Sequence, residues 1–177
     1  MDLACVSKAK IGFIGSSAFL GWVLMSVVVP RISDLKGRRT IFMMALALQI
    51  LVVTSLAFNH NLYLTYALMF LIGACAVGRW TVGFIMLMEF LPQSHQKMVV
   101  PIAQATGAMP LITGTLLTYF TQNTVYIDVL IVTITIISLT IMVAWLPESP
   151  KFLYANRQYE ECRKVLAKMA KSSNHKG

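Results

Sequence analysis

The chain has 177 residues, of which 57% are apolar and 12% are charged. An average soluble domain has roughly 45–50% apolar and about 25% charged residues, and a soluble fold of this size has too much surface to hide the excess. The composition therefore excludes a water-soluble domain, a disordered chain and a disulfide-stapled secreted module, and it predicts an integral membrane protein. The net charge of +8 comes from the loop bias and from the tail after the last block, so we do not interpret it as nucleic-acid binding.

Five apolar blocks are long enough to cross a bilayer as helices, since about 20 apolar residues span roughly 30 Å of hydrocarbon. They lie near residues 11–30, 41–58, 64–90, 98–120 and 126–146. The blocks lack the period-two alternation of a membrane β-barrel, and an open strand would leave backbone groups unpaired in lipid. We predict an all-α membrane protein, with a five-helix bundle over residues 1–147 and short amphipathic helices in a tail over residues 148–177.

The first block has one alternative interpretation, because a weakly basic start followed by an apolar stretch is also typical of a signal peptide. The block ends in Val-Val-Pro-Arg, without a small-x-small cleavage site. We therefore favour a membrane span. Its small residues Ser17 and Gly21, like Ala74 and Gly78 in the third block, are four apart, which is the spacing at which membrane helices approach closely.

The segments between the blocks differ strongly in positive charge. Twelve of the fifteen Lys and Arg residues lie on one side of the five predicted spans, and two lie on the other. Because positively charged loops stay in the cytosol, we expect an outside N-terminus and a cytoplasmic C-terminus. The remaining basic residue, Arg79, lies inside the third block.

The segment between the first two blocks reads Pro-Arg-Ile-Ser-Asp-Leu-Lys-Gly-Arg-Arg from residue 30 to residue 39. We expect Asp34 to accept hydrogen bonds from the start of the next helix and Gly37 to allow a tight reversal. Arg38 and Arg39 offer forked donors to acidic partners. A simple positive anchor with an incidental Asp is the alternative.

This segment resembles the loop between the second and third helices of the major facilitator superfamily, whose pattern is G-x-x-x-D-[RK]-x-G-R-[RK]. Four positions match, at Asp34, Gly37, Arg38 and Arg39, whereas Pro30 and Leu35 stand where the pattern has Gly and a basic residue.

Two further stretches resemble the same superfamily. Glu89 matches the acid that ends its fourth helix, although Gln96 stands where an Arg follows seven positions later. The segment Leu-Pro-Glu-Ser-Pro-Lys-Phe-Leu, from residue 146, is similar to the Pro-Glu-Ser-Pro-Arg-Trp-Leu segment after the sixth helix of sugar porters and, more closely, of organic cation and anion transporters.

The resemblance implies a carrier of a small organic solute, an organic ion or a sugar-like molecule, that works by alternating access in the plasma membrane. The five spans correspond to helices two to six of twelve, so we expect the chain to be a fragment of such a carrier. Transport would need a second half-transporter, a homodimer or a longer gene product. The alternative is a non-transporting membrane subunit or assembly protein derived from a truncated transporter.

The resemblance also implies a cytoplasmic gate, in which charged residues form a cluster that breaks when the two halves rock. A purely structural ion cluster is the alternative. The candidates for the gate, including the turn glycine, are Asp34, Gly37, Arg38, Arg39, Glu89 and Glu148.

Solute binding is expected on the third and fourth spans. Arg79 is an ionisable group inside the membrane, where burial is costly and usually marks function. Trp80, Phe84 and Met88 recur at four-residue spacing, and the matching stripe in organic-ion transporters lines the central cavity, where aromatic faces attract cations. Gln104 matches a family Gln that can bond solute. Packed or lipid-facing aromatics are the alternative, and we do not choose between a cation and an anion.

The sequence contains no pattern that predicts an enzyme. Its histidines, His60, His95 and His175, are far apart and lack neighbouring ligands at metal-binding spacing, and it has no phosphate-binding loop or nucleophile motif. We therefore expect no catalytic residues, no metal, no cofactor and no nucleic-acid partner.

The tail contains apolar residues at three- and four-residue spacing, typical of an amphipathic helix. Ser149 and Pro150 are suited to the cap and first turn of a short helix before it. The resemblance places the tail against the cytoplasmic mouth, whereas its basic character alone would also fit anionic lipid or a calmodulin-like partner.

Overall fold

The structure, a computed structural model, describes residues 7–91, 93–121, 124–145 and 148–173. Within these ranges the regular elements are helical: α1 Lys8–Lys36, α2 Arg38–Phe58, α3 Leu62–Val77, a π-helical turn Gly78–Val82, α4 Gly83–Phe90, α5 Gln93–Thr121, α6 Thr124–Trp145, α7 Pro150–Ala155 and α8 Tyr159–Ser173. The end of the fifth predicted span at residues 146 and 147 lies outside the described residues, as do residues 1–6 and 174–177.

Among the described residues, five helices are long and apolar enough to cross a membrane, which confirms the predicted number of spans. Helices α3 and α4 form one continuous span, Leu62–Phe90, interrupted only by the π turn. Helix α5 begins at Gln93, several residues before the predicted start near residue 98.

The connection between α1 and α2 is much shorter than the predicted loop over residues 31–40. Helix α1 continues through Pro30 to Lys36, and Gly37 alone separates it from α2. Proline removes one backbone donor, but the helix continues for six residues beyond it. The Ser33 hydroxyl in this stretch donates to the Pro30 carbonyl at 2.7 Å. The Gly37 N–H in turn donates to the Ser33 carbonyl at 3.1 Å.

Helix α1 packs most extensively on α3, and glycine on each helix allows the contact. A Cβ built on Gly21 would collide with the Phe70 carbonyl of α3, and one built on Gly73 would collide with the Ala18 carbonyl of α1. Ser17 is buried in the same contact region. The predicted role of the Ser17–Gly21 pair in close helix approach is confirmed.

Helix α2 lies against the π turn and α4, and it also packs on α6. A Cβ on Gly78 would lie 2.6 Å from the Ala45 Cβ, and one on Gly83 would lie 2.5 Å from a ring carbon of Phe42. Val77 and Val82, which flank these contacts, are 0% exposed. The π turn therefore lies in a closely packed part of the bundle.

Helices α7 and α8 form a compact pair after the last span. Pro150 occupies the start of α7, where its missing N–H is tolerated, and Arg157 takes a left-handed conformation with φ of 59° in the turn between them. The buried Cys162 thiol of α8 donates to the Pro150 carbonyl at 3.5 Å. The predicted side-chain cap by Ser149 is wrong, because this side chain makes no capping bond to α7.

Candidate functional site

A cluster of charged and polar side chains joins three chain segments at one end of the bundle. We use the term charge cluster for Asp34, Arg38, Arg39, Glu89, Glu148 and Ser149. The cluster joins the α1–α2 turn to the end of α4 and to the segment between α6 and α7.

Arg38 is the central cation of the charge cluster. Its Nη1 lies 2.5 Å from Glu89 Oε1, and its Nη2 donates to Asp34 Oδ1 at 3.0 Å. The Glu89 side chain is 6% exposed and that of Arg38 is 17% exposed, whereas that of Asp34 is 62% exposed. The pair with Glu89 is therefore the desolvated one, and screening by solvent weakens the pair with Asp34.

Glu148 binds the backbone at the start of α2. Its Oε1 accepts from the Arg39 N–H at 3.0 Å and from the Ser149 N–H at 3.2 Å. Asp34 does accept from the start of α2, as expected, through the Arg38 side chain. The carboxylate that accepts from the α2 backbone is Glu148, which comes from a segment more than a hundred residues later. A carboxylate at this position is also stabilised by the positive end of the α2 helix dipole.

Arg39 contacts the other side of the same junction. Its Nη2 donates to the Val143 carbonyl at 2.9 Å, which is one of the carbonyls near the end of α6. A guanidinium here complements the negative end of that helix. The two adjacent arginines therefore have different partners, with Arg38 on carboxylates and Arg39 on a backbone carbonyl.

Glycine is the only residue type that fits at position 37 without backbone strain. Its φ is 98°, a conformation that L side chains rarely adopt. A Cβ on Gly37 would lie 2.9 Å from Glu148 Oε2 and 3.3 Å from a ring carbon of Phe152. Backbone conformation and close contact with the charge cluster therefore both require glycine.

Two polar residues of this region had no predicted role in the cluster. The Ser149 hydroxyl, 0% exposed, donates to Glu89 Oε2 at 2.5 Å. Gln96 Nε2 donates to the carbonyls of Met88 and Leu91, each at 3.1 Å, so it caps the end of α4. The match of Glu148-Ser149 to the family segment was the available signal for Ser149, but its partner could not be read from sequence.

A cavity of about 480 Å³ lies beside the π turn, within the range of small-molecule sites. The described residues of its wall are mostly apolar and include four aromatic side chains and a single charged one. The lining residues are Phe42, Arg79, Trp80, Gly83, Phe84, Met86, Leu87, Phe90, Ala103 and Met142. The cavity therefore combines three of the four predicted solute contacts with a wall from α2, α5 and α6.

Arg79 and Trp80 belong to the π turn itself. Within the part of the chain that the structure describes, no carboxylate lies within salt-bridge distance of the Arg79 guanidinium. The Trp80 indole lies so close to α5 that a Cβ on Gly107 would collide with its ring. Such π turns are often found at functional positions in helices.

Two predicted contacts differ in the structure. Leu87, not Met88, lines the cavity together with Phe84. Gln104 is exposed on α5, and its neighbour Ala103 lines the cavity instead.

Comparisons with known proteins agree with the motifs. A family model described as the Major Facilitator Superfamily matches residues 3–174. The chain is 26% identical over 175 residues to solute carrier family 22 member 1 of Bos taurus, covering 97% of this chain and 30% of that protein. It is 27% identical over 171 residues to solute carrier family 22 member 16 of Homo sapiens, covering 96% of this chain and 29% of that protein.

A bacterial relative is also similar. The niacin transporter NiaP of Acinetobacter baylyi is 25% identical over 115 residues, covering 65% of this chain and 26% of that protein. The chain thus spans about 30% of the length of the solute carriers that it matches.

Proposed function

Because the chain belongs to the Major Facilitator Superfamily, a family of transporters, we propose that it forms part of a carrier that moves a small organic solute by alternating access. The names of the relatives, solute carriers and a niacin transporter, support a small organic solute. The observation on which the proposal depends is the charge cluster, which joins three chain segments through bonds that can open and close together.

The chemistry of the charge cluster suits a gate. Its links are two ion pairs, hydrogen bonds to carboxylates and one hydrogen bond to a backbone carbonyl, so water can replace each partner when the segments separate. A hydrophobic contact of the same strength would expose apolar surface on opening. We therefore assign Asp34, Arg38, Arg39, Glu89 and Glu148 to a latch that is closed in this conformation, with Gly37 as its turn.

The cavity beside the π turn serves as the solute site in this proposal. Arg79, Trp80 and Phe84 line it directly. Gln104 remains a candidate through a small rotation of α5, since its neighbour Ala103 already faces the cavity. The lining offers an apolar surface and one strong hydrogen-bond donor, which suits a compact organic solute.

We place the charge cluster and helices α7 and α8 in the cytosol, and the turn between α2 and α3 outside the cell. The distribution of Lys and Arg supports this orientation. The helices then cross the plasma membrane with residues 148–177 as a cytoplasmic tail.

Alternating access rocks two structural repeats around a central site. Since the chain spans about 30% of its solute-carrier relatives, we propose that transport needs further helices, from a second half-transporter or from a second copy of this chain.

A chimera tests the proposal. Residues 3–174 replace the matching segment of human solute carrier family 22 member 16, and cellular uptake of that carrier's solute is measured beside its surface level. We expect uptake above the empty-cell level, and we expect Asp34→Asn in the chimera to reduce uptake without an equal fall in surface level. Lys8→Gln, a charge change at the other end of α1, is the matched control.

Three results would contradict the proposal. A chimera that reaches the surface and takes up no solute would favour the alternative of a non-transporting membrane subunit. Equal uptake and surface level in the parent and in the Asp34→Asn chimera would contradict the gating role. Transport by the purified 177-residue chain alone would contradict the need for further helices.

A further inference from the structure

We infer that a groove between α1 and α2 binds one acyl chain of an anionic phospholipid, with Lys36 at the end of the groove binding the lipid headgroup. The inference goes beyond the proposed function, because it concerns a lipid partner rather than the transported solute. The groove shares no lining residue with the cavity beside the π turn. Binding of a lipid can therefore be tested without transport.

The length of the groove matches an acyl chain. We use the term side groove for the cavity of about 450 Å³ that lies between α1 and α2 and has α3 as its floor. Its lining residues on α1 recur at helical spacing from Met25 through Val29 and Ile32 to Lys36. The rise from Met25 to Lys36 is about 16 Å along the helix, which is close to half of the roughly 30 Å of bilayer hydrocarbon. The side groove therefore has the length and the direction of a lipid chain in one leaflet.

The wall of the side groove suits a flexible methylene chain. Cys75 and Gly78 on α3 are buried at its floor, whereas Ile32, Met44 and Leu48 at its rim are between 36% and 60% exposed. The described lining residues other than Lys36 are aliphatic, sulfur-containing or glycine, without an aromatic ring. Methionine and aliphatic side chains adapt to an irregular apolar partner, and the exposed rim lets a chain enter sideways from the bilayer.

The charge at the end of the side groove favours an anionic headgroup. Lys36 is the single charged residue among the described residues that line it, and this side chain is exposed. Neither ion pair in the described part of the chain involves Lys36, and Asp34, two residues earlier, is bound to Arg38 instead. A lipid phosphate would therefore supply the partner that Lys36 lacks, whereas an apolar partner helix would leave the ammonium group uncompensated.

The position of Lys36 in the membrane agrees with this partner. The proposed orientation places Lys36, next to the charge cluster, at the cytoplasmic leaflet, which carries the anionic lipids of the cell. Basic pockets between spanning helices on that side bind anionic headgroups in membrane proteins generally. We therefore assign the side groove to a phospholipid with a net negative headgroup, such as phosphatidylserine.

Arg31 supplies an internal comparison. It is an exposed cation near the same end of α1, but it does not line the side groove. Five residues separate Arg31 from Lys36, so the two side chains leave the helix about 140° apart. If any cation near the membrane surface attracted the lipid, Arg31 would matter as much as Lys36.

Photo-crosslinking of the complete chain in nanodiscs tests the inference. The discs consist of phosphatidylcholine with a small, equal fraction of a diazirine-labelled phosphatidylserine or phosphatidylcholine that has the same acyl chains. Mass spectrometry then measures labelling of the side groove at Met44 and Leu48, and of a control face at Ile137 on α6, which is 53% exposed. Ile137 lies six residues before the Val143 carbonyl that Arg39 contacts, and Met44 lies five residues after Arg39. The two labelled positions therefore have similar depths in the bilayer.

We expect the phosphatidylserine probe to label the side groove about fivefold more than the phosphatidylcholine probe, the factor for one cation beside an anionic headgroup. Both probes should label Ile137 equally. Lys36→Gln should abolish the preference for phosphatidylserine in the side groove, whereas Lys36→Arg and Arg31→Gln should retain it. Unchanged labelling of Ile137 in each variant shows that the bundle remains inserted.

Equal labelling of the side groove by the two probes would overturn the inference, and so would an equal preference for phosphatidylserine at Ile137, which is the result for ordinary boundary lipid. A preference that survives Lys36→Gln or disappears in Arg31→Gln would also overturn it. Absence of labelling by either probe would mean that protein covers the side groove, with the same consequence. These results do not depend on uptake, so a chimera that fails to transport would refute the proposed function alone.

Discussion

The substitution Glu89→Gln tests how strongly the charge cluster holds the bundle together. It keeps the size of the side chain and an oxygen that accepts from the Ser149 hydroxyl, but it removes the charge that pairs with Arg38. Because both partners of this pair are largely desolvated, with side chains 6% and 17% exposed, the substitution leaves a cation without its main compensation.

The expected loss follows from the geometry of Arg38. Removing one partner of a buried ion pair costs about 3–5 kcal/mol. The pair with Asp34 remains, but that carboxylate is 62% exposed, and exposed pairs contribute only about 0.2–1 kcal/mol. We therefore expect Glu89→Gln to lower the free energy of unfolding by about 2–4 kcal/mol, and Asp34→Asn to lower it by less than about 1 kcal/mol.

Two buried cysteines allow this loss to be measured. Cys75 is 3% exposed and Cys162 is 7% exposed, so a thiol-reactive fluorophore labels them when the bundle or the α7–α8 pair opens. A Cys5→Ser background limits labelling to these thiols. Titration with SDS in mixed micelles gives the free energy of unfolding for the parent chain and for each variant.

A double-mutant cycle with Ser149→Ala checks the mechanism. The Ser149 hydroxyl donates to the same carboxylate, so the two substitutions should be non-additive by about 0.5–3 kcal/mol. The reasoning would be refuted by similar small losses in Glu89→Gln and Asp34→Asn, or by additivity of Glu89→Gln with Ser149→Ala.

Three further predictions use single changes. Gly37→Ala should lower the free energy of unfolding by about 1–3 kcal/mol in the same SDS titration. The reason is that a Cβ strains the backbone at φ 98° and meets a carboxylate of the charge cluster at 2.9 Å. A loss below about 0.5 kcal/mol would contradict this. Gly73→Val should cost about 1–3 kcal/mol or more in that titration by forcing α1 from α3, whereas Gly114→Val, at a site with open space, should have little effect; equal losses would argue against this packing. A glycan-acceptor tag inserted after His60 should be glycosylated in cells and one after Ser173 should not, as seen by a mobility shift removed by glycosidase; the reverse pattern would refute the proposed orientation.

The number of spans and the transporter family could be predicted because both depend on local information. Apolar length determines which segments can cross a bilayer, and the α1–α2 motif lies within one short segment. The boundary at Pro30 was placed too early, because proline in a sequence indicates a helix end whereas α1 here continues through Pro30 to Lys36.

The partners within the charge cluster could be predicted less well. Arg38, Glu89 and Glu148 were all expected in one cluster, but the individual bonds were not: Glu89 pairs with Arg38, and Glu148 accepts from the Arg39 N–H. Sequence spacing carries no information on which of several carboxylates reaches a given donor when they lie on separate segments. The α6–α7 segment brings Glu148 and Ser149 to the cluster together, and this depends on how α6 packs against α2.

The π turn gives one membrane span two different neighbours. Before the turn, Gly73 of α3 meets α1, and after it, Gly83 of α4 meets Phe42 of α2. Because a π turn accommodates one additional residue, it shifts the angular phase of all that follows by about 100° relative to an unbroken α-helix. Loss of a single residue between Gly78 and Val82 would restore the uniform helix. Either Gly73 would then rotate away from α1, or Gly83 and the aromatic wall of the cavity would rotate away from α2.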